Sequence, residues 1–322
     1  MVTPKPLMLL VLGAWLSLHL TGLAAQDYPV RPIRLVVPSP PGGAVDLVGR
    51  TIAQKMADHL GQNVIVDNRP GGGKTIGPAI VARAAPDGYT LLEISITHTI
   101  NPGLDPKLPF DSVKDFSPIS LIAMSPLVLV VHPSLPVKSV QDFIALAKAR
   151  PGQLNFGASN ASGGHLALEL FRDMTDINIV HVPYRGGGPA LIDLMAGQVQ
   201  LMMTSPLTAV PLAKNGKLRV LGVSSKARSP AIPDVPAIAE IVQGYEASLW
   251  YALLAPAGTP DNIITRLNSL IQKALTLPDV RELFAKGGVE PMGSTPDELG
   301  EHIRKEIEKW RRVIKAAGMR RG

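Results

Sequence analysis

Apolar residues recur along the chain in two alternating rhythms. Ile33–Val37 is a short continuous apolar run rich in β-branched side chains, the form of a strand buried on both faces. Val45, Val48, Ile52, Met56 and Leu60 then recur at intervals of three and four, the stripe of an amphipathic helix, and Gly61 stops it. The alternation continues to the end. Strands are predicted at Asn63–Val66, Thr90–Ile94, Ile119–Ala123, Leu127–Val131, Leu154–Gly157, Asn178–Val182, Val199–Met203, Leu218–Val223 and Leu249–Ala255. Helices are predicted from the capping Ser139 to about Ala149, near 163–174, 187–196 and 207–215, and over 260–276, 279–286 and 296–317. Such alternation implies α/β layers with mostly parallel sheets.

A chain of 322 residues is long enough for two ordinary domains. No Pro/Gly-rich linker separates two halves, so the domains are expected to be discontinuous. Met124–Val131 and Ser248–Ala255 are the candidate crossings. Residues 1–25 stand apart from this pattern. Lys5 is their only charged side chain, an apolar run extends from Leu7 to about Leu18, and small residues follow at Gly22, Ala24 and Ala25. This three-part form is that of a secretory signal peptide rather than a membrane anchor, since the run is short for a span of about 20 residues. The rest is expected to be exported and soluble after cleavage.

Composition narrows the chemistry. The absence of cysteine excludes disulfides, thiolate metal sites, cysteine nucleophiles and a lipidated N-terminal cysteine. A hydrophobic content of 46% excludes intrinsic disorder. Aromatic residues make up only 4%, which argues against a stacking platform for nucleic acid. The net charge is +6, but the basic residues cluster only in the C-terminal helix and tail, from Lys305 to Arg321. A basic chain without a basic patch leans towards small anions.

Three glycine-rich turns sit where a strand hands over to a helix. The first is Pro38-Ser39-Pro40-Pro41-Gly42-Gly43-Ala44-Val45-Asp46. Helix starts expose unpaired backbone N–H groups and a partial positive charge, and glycines admit a bound group close to the backbone. A carboxylate or phosphate suits such a place. Asp46 suits instead a cap on free amides, or an ammonium or hydroxyl of a ligand. An ordinary tight turn with a capping Asp accounts for the same spacing equally well. The second turn, Gly157-Ala158-Ser159-Asn160-Ala161-Ser162-Gly163-Gly164-His165, offers hydroxyl and amide donors. Alone it is an N-cap region; beside the first it forms one jaw of a cleft. The third is Tyr184-Arg185-Gly186-Gly187-Gly188, where Arg185 is a candidate for a carboxylate, although a surface Arg is the commoner outcome.

Other patterns fail. Gly71-Gly72-Gly73-Lys74-Thr75 imitates a nucleotide phosphate loop, but Asn68 stands where its first glycine belongs. Seven His are scattered without metal-ligand spacing, and no Gly-x-Ser-x-Gly elbow occurs. His98 and His165 lie near the turns, where a lone His is more often a structural hydrogen-bonder than a catalyst. No metal, cofactor or catalytic residue is expected.

These residues also carry a family resemblance over essentially the whole mature chain. It runs through Tyr28-Pro29, the Pro-x-Pro-x-Gly-Gly turn, Val66-Asp67-Asn68-Arg69-Pro70-Gly71, Ala84-Ala85-Pro86-Asp87-Gly88-Tyr89-Thr90 and Ile100-Asn101-Pro102. It continues through His181-Val182-Pro183-Tyr184, Pro233-Asp234-Val235-Pro236 and Leu254-Ala255-Pro256-Ala257-Gly258-Thr259-Pro260. The chain resembles the substrate-binding proteins of the tripartite tricarboxylate transporter family, the Bug-type periplasmic receptors. The resemblance implies an α/β, two-lobed periplasmic binding protein of type II, the Venus-flytrap kind, with discontinuous lobes joined by crossing strands. With the crossings above, one lobe would comprise 26–125 plus 252–322 and the other 126–251.

The resemblance further implies a monomer that binds a small organic acid, largely through backbone amides, without a cofactor. It would deliver that acid to the large and small subunits of an ion-driven membrane permease, with no nucleic-acid partner. The ligand-binding set it implies, with the turns above, is Pro41, Gly42, Gly43, Asp46, Thr97, His98, Ser159, Ser162, Gly163, Gly164, Tyr184 and Thr204. Departures sharpen the ligand. Thr204 stands where the family often has an acidic residue, which favours a simple mono- or dicarboxylate over an amino acid. The second turn is one residue shorter than is common there, and Lys74 and Thr75 replace a Gly-Asn pair. A sensory co-receptor acting through a membrane kinase and a periplasmic enzyme on a similar scaffold are the alternatives.

Overall fold

The computed structural model describes residues 28–42 and 44–319, so the expected signal segment lies outside the described residues. The chain begins with β1 (Ile33–Val37), α1 (Ala44–Leu60), β2 (Val64–Asn68), α2 (Ile76–Val81), β3 (Thr90–Ser95), α3 (Thr97–Leu104) and the long β4 (Phe116–Ser125). It then crosses to β5 (Val128–Val131), α4 (Val140–Ala149), β6 (Asn155–Ser159), α5 (Gly163–Thr175), β7 (Val180–Tyr184), α6 (Gly187–Met195), β8 (Leu201–Thr204), α7 (Pro206–Lys214) and β9 (Arg219–Val223). It returns through β10 (Leu249–Pro256) to α8 (Asp261–Thr276), α9 (Pro278–Lys286), the short β11 (Glu290–Pro291) and α10 (Pro296–Ala316).

The strands form two sheets. The six-stranded sheet has the order β11-β4-β10-β3-β1-β2, and the five-stranded sheet has β7-β6-β8-β5-β9. β1 lies parallel between β2 and β3, with Leu35 opposite both Val66 and Leu91. β10 runs antiparallel to β3 and β4, and β5 antiparallel to β8 and β9. In each sheet, the edge strand β11 apart, one strand therefore runs against its neighbours. That strand is the one entered directly after a crossing.

Side-chain alternation decides which face each strand serves. Ile33, Leu35 and Val37 of β1 join a core with α1, α8 and α9, while Val36 points to the opposite face and a different core. That second core runs from the first sheet into the other, taking in Leu92 and Leu254, then Leu129, Phe143, Phe156 and Leu166. The apolar stripe of α10 (Leu299, Ile303, Ile307, Trp310, Ile314) closes it. α10 starts at a capping box: Thr295 Oγ1 accepts the Glu298 N–H at 3.2 Å, and Glu298 Oε2 accepts the Thr295 N–H at 2.8 Å. The buried Glu306 carboxylate accepts both the Trp250 and the Trp310 indole N–H, at 3.1 and 2.8 Å, and pairs with Lys309. It thereby fastens α10 to β10.

The crossings touch. Ser224, fully buried, accepts the Leu127 N–H on its hydroxyl at 2.8 Å and donates its own N–H to Leu127 O at 2.7 Å. Its carbonyl accepts the Ala247 N–H at 3.0 Å. The segment leaving the first sheet and the segment returning to it are thus joined at one residue.

Several elements depart from the periodicity. α2 and α3 have no counterpart in the apolar pattern, because Gly77-Pro78 and Pro102-Gly103 interrupt any apolar stripe. β2 extends to Asp67 and Asn68, where Asp67 accepts the Arg34 Nε–H of β1 at 2.8 Å in place of apolar packing. β4 is longer than its apolar centre, because its polar ends still pair with β10. Among the described residues no helix is long and apolar enough to cross a membrane.

Ser224→Ala leaves the buried Leu127 N–H without its partner. We expect a loss of about 1–3 kcal/mol, read as a lower urea midpoint at unchanged m-value.

Candidate functional site

A cavity of about 900 Å³ is walled by residues of both sheets. On the side of the first sheet stand Lys74 from the loop before α2, Ser95 at the end of β3, Thr97, Ile100 and Asn101 of α3, and Tyr251 of β10. On the other side stand the Ser159–Ser162 turn, Gly163 and His165 of α5, then Glu169, Arg172 and His181. Val45 at the start of α1, Leu249 beside the return crossing and Ala317–Met319 after α10 also line it. Both walls are built alike. A strand ends, a helix begins within a few residues, and the first-turn N–H groups of that helix have no partner within it. Such groups bring a partial positive charge to the space they face.

The start of α5 is held by its own side chains. Ser162 Oγ accepts the His165 N–H at 3.2 Å, and the Ser162 N–H donates to Ser159 O at 3.1 Å. Ala161 is left-handed, with φ +55°. Its N–H donates to His165 Nδ1 at 3.2 Å, which leaves the ring proton on Nε2, 3.5 Å from Glu169 Oε1. Glu169 is in turn paired with Arg172 at 2.6 Å. The His165 ring stacks on His181 with centroids 3.7 Å apart, and His181 Nε2–H donates to Ala158 O at 3.1 Å. Burial, and then the neighbouring His165, pull the His181 imidazole below its ordinary pKa, so it is uncharged at neutral pH.

The opposite wall carries a tightly bent loop. Gly71, Gly72, Gly73 and Lys74 all have positive φ, the last at +67°. Thr75 Oγ1 donates to Gly72 O at 2.7 Å, and Asn101 Nδ2 donates to Gly73 O at 3.0 Å. Glu93 of β3 lies wholly buried nearby, and neither carboxyl oxygen has a hydrogen-bond partner among the described residues. Burial, and then the charge of Asp46, raise its pKa well above the usual carboxylate range, against the pull of Lys74. Gly49 makes room for it: a Cβ there would lie 2.1 Å from Glu93 Oε2.

Of the residues expected at the site, Thr97, Ser159, Ser162 and Gly163 are brought together in this cavity. The others that the structure describes lie outside the lining. Gly164 serves packing, since a Cβ there would lie 2.7 Å from Met203 O of β8. His98 points into the core beside Phe110 and Phe116, with its Nε2–H donating to Ser112 O at 2.9 Å. Asp46 is fully engaged: it accepts the Gly42 N–H and Arg50 Nε–H on one oxygen and the Asn68 amide on the other, all at 2.9 Å. Burial would raise its pKa, but those hydrogen bonds outweigh burial and hold it low. Pro41 and Gly42 are exposed and do not line the cavity, although Val45 of the helix that follows them does, and Gly43 lies outside the described residues. Tyr184 donates its hydroxyl to Asp193 at 2.6 Å, and Thr204 ends β8 opposite Val128. Neither lines the cavity, and nor does Arg185.

Ser95, Asn101 and Tyr251 are absent from the ligand set expected above, and Lys74, open there, lines the cavity. Asn101 was visible in the Ile100-Asn101-Pro102 motif, and Lys74 in the failed phosphate-loop pattern; Ser95 and Tyr251 sit inside strands and gave no signal.

Comparison with known proteins follows the same outline. The profile of the tripartite tricarboxylate transporter family receptor matches residues 48–319. The chain is 41% identical to Protein BugT of Bordetella pertussis over 303 residues, covering 92% of each. Among solved structures, Rpa4515 of R. palustris with adipate superposes with a TM-score of 0.74 at 38% identity, over 91% of this chain and 99% of that one. MatC of Rhodopseudomonas palustris with bound malate gives 0.70 at 33%, over 89% and 100%.

Burial pulls the pKa of His98 from 6.5 down to about 4. The unfolded chain binds this proton first as pH falls. Stability from this group is therefore complete above about pH 6.5 and is lost towards pH 4, up to about 3 kcal/mol. His181 and His302 contribute in the same direction. His98→Gln is expected to flatten the slope of unfolding free energy between those pH values by about one proton, measured by urea titration at each pH.

Proposed function

The chain belongs to the tripartite tricarboxylate transporter receptor family, with the two-lobed Venus-flytrap fold of a periplasmic binding protein, and from that premise we propose that it binds a small mono- or dicarboxylate between its lobes and hands it to a tripartite tricarboxylate-type membrane permease. The observation that carries this reading is the meeting of two helix starts, α3 and α5, at one cavity, each from a different sheet. Backbone N–H groups there, with the hydroxyls of Thr97, Ser159 and Ser162, form a donor-rich lining suited to a carboxylate. We assign the six-stranded sheet and its helices to one lobe and the five-stranded sheet and its helices to the other, hinged where Ser224 joins the crossings.

Further support comes from relatives and from charge. Rpa4515 was solved with adipate and MatC with malate. The carboxylate in the described lining, Glu169, is held by Arg172 and faces His165. An amino acid's ammonium would find no free partner there, which favours a simple acid. A receptor is favoured over a catalyst by the same bookkeeping of partners. His165 Nδ1 is occupied by the Ala161 N–H and His181 Nε2 donates to Ala158 O, so neither is bonded to a lining serine.

A panel of small carboxylates in thermal-shift and calorimetric titrations tests the proposal. A cognate acid at a hundred times its Kd is expected to stabilise the fold by about 2.7 kcal/mol and raise the melting temperature by several degrees. Its binding is expected to lower the radius of gyration in small-angle scattering. Thr97→Val and Ser159→Ala, one from each wall, should each weaken affinity about fivefold while leaving the unliganded melting temperature nearly unchanged. No response to any organic acid would overturn the reading.

A further inference from the structure

The carboxylate reading leaves open how many charges the ligand carries, and the wall of the cavity answers through one side chain. Lys74 and Arg172 are the lysine and arginine of the described lining. Arg172 is neutralised by Glu169 at 2.6 Å. Among the described residues the Lys74 ammonium has no hydrogen bond and no ion pair, and the carboxyl that influences it is Glu93. Glu93 is wholly buried with both oxygens unpartnered, the setting of a carboxyl held as the neutral acid. It therefore leaves the charge of Lys74 largely uncancelled.

The backbone supports the same conclusion independently. Lys74 is held at φ +67°, in the left-handed region where a glycine rests without cost and a lysine does not. Three glycines precede it with the same sign of φ, and the Thr75 and Asn101 hydrogen bonds fix the bend. Asn101 and Lys74 line the same cavity, so the bend and the charge belong to one wall. Burial lowers the pKa of the ammonium, which a bound anion would offset.

Resting on the carboxylate reading, we propose that Lys74 receives the second acid group of the ligand, making the receptor selective for dicarboxylates over monocarboxylates of equal length. The helix starts hold one carboxylate, and the lysine on the first-sheet wall counts the other.

Calorimetry on the full mature chain tests this with the linear dicarboxylates from malonate to adipate and the unbranched monocarboxylates of the same carbon number. The wild type is expected to bind its best dicarboxylate at least about tenfold tighter than the matching monocarboxylate, the scale of one charge-assisted hydrogen bond. Lys74→Gly and Lys74→Met should both shrink that ratio to about threefold or less, by weakening the dicarboxylate alone. Lys74→Gly relieves the left-handed backbone and should keep or raise the melting temperature, which separates lost recognition from lost folding. A ratio unchanged in both variants, or equal affinity for the two series in the wild type, overturns the inference and leaves the carboxylate reading standing. If no acid of either series binds the wild type, the carboxylate reading falls and the inference with it.

Discussion

Everything in this molecule depends on two chain crossings that lie side by side. At Ser224 the segment entering the second sheet and the segment leaving it share three hydrogen bonds, wholly out of water. Because the chain goes out and comes back at one place, each sheet acquires a strand running against the others. The returning strand, β10, carries Leu249 and Tyr251 into the lining of the cavity. It also gives α10 its anchor, through Glu306 and the two indoles. A fold built from two separate halves in sequence would have neither feature.

Charge is mostly spent in local pairs. Arg34 holds Asp67, Arg50 holds Asp46, Arg172 holds Glu169 and Arg228 holds Glu240. The net charge of +6 consequently says little about the cavity, whose lining is dominated by hydroxyls, amides and helix starts. Against that background a single unpaired ammonium and a buried unpartnered carboxyl carry more weight than the many surface ions, because water screens the latter and not the former.

Legibility in the sequence followed the physics of burial. Continuous apolar runs such as Ile33–Val37 and Leu127–Val131 announced strands within a residue or two, and the long stripe of 296–317 announced α10. Short helices with internal Pro or Gly, α2 and α3, were hidden because their propensities oppose the tertiary contacts that form them. Half of the cavity was visible for the same reason that half was not. The Ser159–Gly163 turn shows itself through glycines and hydroxyls at a strand-to-helix junction. His98 and Asp46, just as polar in sequence, turn inward to bond Ser112 and to cap the Gly42 turn, and nothing in local spacing distinguishes inward from outward. Whether Lys74 reaches the cleft is not readable from its failed nucleotide-loop motif, because the left-handed bend that carries its side chain to the cavity is a tertiary feature.

The apolar core that runs unbroken from the first sheet into the second has a thermal consequence. A joint between two halves made of salt bridges would stiffen or soften with ionic strength. Apolar side chains from both halves, among them Phe143, Phe156, Trp250, Leu299 and Trp310, are instead buried in one continuous core. Apolar contact of this kind owes its strength near room temperature to water's entropy and weakens on cooling. The coupling that this core gives the two halves is therefore expected to respond little to salt and to weaken on cooling.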